Sequence, residues 1–116
     1  MGRPFTQQER EVVERLIELA PPDERHSLHD GLADSEVGDP CSCGCGSFEI
    51  EYPGKAREQH WLVAEGFVQR AGKPLLGVML FAVNSRPDYL EIYAPERADA
   101  GPPIPFPIAG EIQPYN

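Results

Sequence analysis

Apolar positions recur at three- and four-residue spacing through Val12, Val13, Leu16, Ile17, Leu19 and Ala20, with Glu9, Glu11, Glu14, Arg15 and Glu18 between them. This is one apolar stripe along a helix. Thr6-Gln-Gln-Glu9 has the form of a capping box. The Thr6 hydroxyl accepts the Glu9 amide and the Glu9 carboxylate reaches back to the Thr6 amide. Pro21 and Pro22 stop this helix, since neither can donate a backbone bond. A second, shorter helix is expected over 24–33, with Asp23 as N-cap and Leu28 and Leu32 buried. Residues 34–46 read as an irregular loop, rich in Gly, Asp and Pro.

The period then changes to two. Phe48, Ile50 and Tyr52 alternate with Glu49 and Glu51, predicting a half-buried strand over 47–52. Further strands are expected over 60–70, 75–84 and 89–93, with Gly66 a candidate bulge and turns at 71–74 and 85–88. Short turns between them imply a meander. Six prolines between Pro95 and Pro114 mark a tail. Its Ile104, Phe106, Ile108 and Ile112 favour docking on the domain, with one short edge strand. The expectation is an α+β single domain over 1–116: two N-terminal helices packed on a four-stranded antiparallel meander sheet, with a docked proline-rich C-terminal tail at 95–116.

Charge sharpens this reading. The 116 residues carry 10 Lys and Arg against 19 Asp and Glu, a formal net charge of −9. That balance argues against nucleic acid and against anionic membrane surfaces. The longest apolar run, 74–83, is half of the roughly 20 residues a membrane helix needs. A charged stretch near Met1 in place of a signal peptide points to the cytoplasm. The segment 23–51 holds eight acids and a single base, Arg25. Asp30, Asp34, Glu36 and Asp39 within it are the candidate docking residues for a basic protein partner, and small acidic neutralising proteins are of this kind. The alternative is a solvated face that keeps the protein in solution.

Cys41, Cys43 and Cys45 form the second candidate site. Thiolates are soft ligands, and zinc takes four ligands in a tetrahedron. A fourth would come from His26, His29 or His60, with His29 preferred. Three reduced, packed cysteines are the structural alternative, and redox chemistry the third. No nucleophile–base motif, phosphate loop or metalloprotease signature is present. The aromatics Trp61, Phe67, Phe81, Tyr89 and Tyr93 read as core and sheet-face residues, Trp61 or Tyr93 becoming a partner anchor if exposed.

The order of elements and the segment Cys41-Ser-Cys43-Gly-Cys45-Gly-Ser47, followed by Tyr89-Leu-Glu-Ile-Tyr93 and a proline-rich end, resembles a group of small acidic proteins of actinobacterial type. Their segment reads Cys-x-Cys-Gly-Cys-Pro-Ser, and Gly46 stands here in place of the proline. The resemblance implies one compact domain and brings no mechanism with it.

Overall fold

A computed structural model describes residues 2–40, 46–55, 59–94 and 105–115. Two helices precede the sheet, α1 (Gln7–Leu19) and α2 (Pro22–Ala33). Helix α1 starts at the expected capping box, with the Thr6 hydroxyl 3.1 Å from the Glu9 amide and the Glu9 carboxylate 2.9 Å from the Thr6 amide. Its stripe Val12, Val13, Leu16 and Ile17 is fully buried. Helix α2 begins two residues before the expected start, and Asp23 lies in its first turn rather than at the cap. Pro22 at the first helical position sacrifices no bond, because that amide has no partner inside a helix.

The sheet has six strands, not four: β1 (Glu36–Pro40), β2 (Phe48–Glu51), β3 (Trp61–Val68), β4 (Leu76–Val83), β5 (Arg86–Tyr93) and β6 (Gln113–Pro114). All pairings are antiparallel, in the order β1-β2-β5-β4-β3-β6. Only β3-β4-β5 is a meander. Strand β2 lies beside β5, so the connection to β3 passes two strands and gives a Greek-key arrangement. Two residues, Asn84 and Ser85, make the β4–β5 turn, both at positive φ (51° and 58°). That is the signature of the hairpin turn matching strand twist. The expected turn at 85–88 is therefore displaced, and Arg86 and Pro87 belong to β5.

The expected loop at 34–46 contains β1. Its sequence, Glu-Val-Gly-Asp-Pro, has poor strand propensity. The strand forms because Val37 is buried and has a strand neighbour on each side. Val37 pairs with Ile50 on one flank and exchanges two backbone bonds with Arg3 on the other, at 2.8 and 2.9 Å.

Helix α1 packs on β3 and β4 and α2 on β5, over one hydrophobic core that includes Val37, Ile50, Val78, Leu80, Leu90, Ile92 and Ile112. The described part of the tail is docked. Gln8 donates to the carbonyls of Phe106 and Pro107, Arg15 donates to that of Ile112, and Ile112 is fully buried. Residues 95–104 of the expected tail lie outside the described residues. Among the described residues no helix is long and apolar enough to cross a membrane.

Candidate functional site

The acidic segment runs along the end of α2 and the β1–β2 hairpin. Asp30, Asp34, Glu36 and Asp39 are all exposed. They divide into two kinds. Asp34 caps the C-terminus of α2 and is tied to Arg86, and Asp30 lies 3.3 Å from His26 one turn back. Glu36 and Asp39 are on β1, where no cation among the described residues pairs with them. Glu36 stands directly opposite Glu51 of β2, a like-charged cross-strand pair that opposes strand association. Glu49 of β2 is exposed as well. The Glu51 side chain lies across β1 at Gly38, where an added Cβ would come within 2.5 Å of it. Gly38 thus gives the second carboxylate room on the same face. The hairpin presents Glu36, Asp39, Glu49 and Glu51 on backbone fixed by two-sided strand pairing. Such a row is a region of negative potential that favours cations.

The cysteines occupy the connection between β1 and β2, outside the described residues. Their flanks, Pro40 and Gly46, line a cavity of about 460 Å³ together with Arg3, Glu9, Phe48 and Phe106. His29, the expected fourth zinc ligand, lines a groove beside Glu11, Glu14 and Glu18 of α1. His26 is engaged with Asp30. Among the described residues no group of three His, Cys, Asp or Glu side chains is placed to hold a metal.

The third histidine has partners the sequence did not reveal. Asp88 is the extra residue of a bulge in β5, since Phe81 pairs with Tyr89 while Ala82 pairs with Pro87. Bulges re-aim side chains, and here the Asp88 carboxylate is nearly fully buried. Oδ2 lies 2.8 Å from His60 Nδ1, and Lys55 Nζ is 3.2 Å from Oδ1. Tyr52 donates to Oδ1 at 3.4 Å, and Lys55 also donates to the Ile50 and Asp88 carbonyls. This buried carboxylate holds both ends of the β2–β3 connection against β5. An Arg-Pro-Asp turn signal masked it.

Trp61 and Leu62 follow His60 and are 65% and 47% exposed. Trp61 is therefore not a core residue. A register shift between Leu62 and Ala64 in β3 interrupts the alternation that would have placed Leu62 with Ala64, Gly66 and Val68 on the core face. Leu62 pairs with Phe81 on the opposite face.

No protein-family model matches this chain, and comparisons with curated proteins and with solved structures yield no similar protein.

Proposed function

We propose that the protein is a non-catalytic binding protein whose acidic β1–β2 hairpin docks a basic protein. The observation that carries this reading is the row of strand-borne carboxylates, with Glu36 facing Glu51 and no described cation paired to either. Opposed like charges cost stability in the free protein. A partner that brings lysine or arginine between them relieves that cost, so its binding is favoured by the arrangement that strains the unbound hairpin. The test is capture of a partner from lysate by the wild type and by the triple variant Glu36→Gln, Asp39→Asn, Glu49→Gln, in low and in raised salt. The reading requires a basic partner that salt releases and that the triple variant holds roughly tenfold more weakly or worse. A partner held equally by both proteins, or unmoved by salt, defeats it.

A further inference from the structure

Strand β6 covers only part of the outer edge of β3. It pairs with Gly66 and Phe67 and goes no further along β3. Alongside 61–65 no described strand lies on that side, so backbone donors and acceptors point outward there. The side chains of this stretch are also exceptional. Trp61 and Leu62 are exposed apolar groups, and Glu65 is the single charge. The far edge of the sheet, by contrast, carries charged residues and is bridged by Arg3, and β6 itself ends in a proline that cannot donate.

We propose that the open stretch 61–65 of β3 accepts an extended basic segment of another protein as an added strand. Cross-strand register fixes what such a strand meets. Leu62 and Glu65 pair with Phe81 and Met79 and so share the face turned away from the helices, whereas Trp61 pairs with Ala82 of the core face. Glu91 continues the row from Glu65 through Met79. The incoming strand therefore meets an apolar end at Trp61 and Leu62 and an acidic end at Glu65, with Glu91 further in on the same face. Main-chain bonds supply affinity in this mode and alternate side chains supply selectivity. A second copy of the chain fits worse. Pairing of two β3 edges would bring together two chains of net charge −9. This stretch is at the opposite end of the sheet from the acidic hairpin, and the inference does not depend on what that hairpin docks.

Trp61 is the single tryptophan, so its fluorescence reports this edge alone. The experiment titrates the full chain with an alternating lysine–valine hexapeptide. The expected result is a saturable blue shift of Trp61 emission. The same peptide methylated at every backbone amide, which removes its donors, should bind at least about tenfold more weakly, and Glu65→Lys should weaken the unmodified peptide. The hairpin triple variant should leave the titration unchanged. Equal binding of the methylated peptide would reduce the effect to surface adsorption and overturn the proposal. So would the absence of a shift, dependence on the hairpin carboxylates, or sedimentation showing a dimer that buries Trp61 without peptide.

Discussion

The two edges of the sheet are finished by the same device applied to opposite ends of the described chain. At the β1 edge, Arg3 forks onto Glu9 at 2.7 and 2.8 Å, and Glu9 also accepts the amide of Thr6 three residues earlier. At the β3 edge, Arg70 forks onto Glu111 at 2.8 Å through both carboxylate oxygens, and Glu111 accepts the amide of Ile108 three residues earlier. The Arg70 fork ties the C-terminal segment to the end of β3, and the Arg3 fork ties the residue that bridges β1 to the first turn of α1. The outcomes differ. The N-terminal segment brings a backbone bridge to the middle of short β1, whose outward side chains are acidic. The C-terminal segment pairs with only two residues of an eight-residue strand, and among the described residues no strand pairs with 61–65 on that side. On the two proposals above, the β1 edge takes a basic partner and the β3 edge takes an added strand.

The comparison breaks most readily at the C-terminal segment, where Ile112 is the fully buried apolar anchor. Ile112 is fully buried between α1 and β3, and its Cγ2 would lie 2.6 Å from a Cβ placed on Gly66. That glycine is what lets the segment approach so closely. Ile112→Ala removes most of the anchor and leaves a cavity, costing about 2–5 kcal/mol. Urea denaturation measures the loss. Hydrogen exchange at Gly66 and Phe67 should quicken more than exchange at Val37. Equal loosening at both edges would show that the C-terminal segment does not hold its edge separately.

A smaller effect separates the two helical starts. Thr6 returns a bond to the Glu9 amide, whereas Ile108 has no side-chain acceptor to return. Thr6→Ala should cost about 1 kcal/mol, and Ile108→Ala, at an exposed site, less than about 0.5 kcal/mol. Paired urea midpoints check this. Equal losses would mean that Thr6 does not act as a cap.

How much of this was legible depended on whether a local pattern or a distant partner decided the outcome. Helix α1 was readable because Thr6, Glu9 and the apolar stripe act within four residues of one another. The strands at 48–51, 61–68 and 76–83 and the 89–93 part of the fifth were readable from local apolar patterning, whereas Arg86 and Pro87 carry the pattern of a turn. Strand β1 was not, because Val37 owes its extended state to Arg3 and Ile50, 34 and 13 residues away. The order of strands was hidden too. Periodicity tells which face is buried and is silent about which neighbour lies beside it. Asp88 carries the same turn pattern, and the bulges at Asp88 and between Leu62 and Ala64 each shift the period by one residue, which local alternation does not announce. The exposed acids Asp30, Asp34, Glu36 and Asp39 were found by charge alone. Charge could not separate Asp34, which Arg86 holds, from Glu36, which faces another carboxylate. The cysteines lie outside the described residues.

The gentlest probe of the two edges is acid. The Arg70 fork, aided by the Ile108 amide, pulls the Glu111 carboxyl from 4.5 down to about 2. The Arg3 fork, opposed by partial burial, likewise lowers Glu9. A carboxyl that is more acidic in the folded chain binds its proton first in the unfolded chain as pH falls. Its contribution is therefore complete above about pH 4.5 and fades as pH drops toward about 2. Glu111 is partly exposed, so solvent screening limits the fork to less than about 1 kcal/mol. An NMR titration of the Glu111 carboxyl carbon should give a midpoint well below the ordinary value. Arg70→Gln should bring that midpoint back up and flatten the fall in stability between pH 4.5 and 2. The corresponding change at the other edge, Arg3→Gln, should raise the Glu9 midpoint and leave Glu111 untouched. The forks sit at opposite ends of the sheet and share no partner, so their effects should add. If either arginine change moves both carboxyls, the edges are coupled and are not two independent clasps.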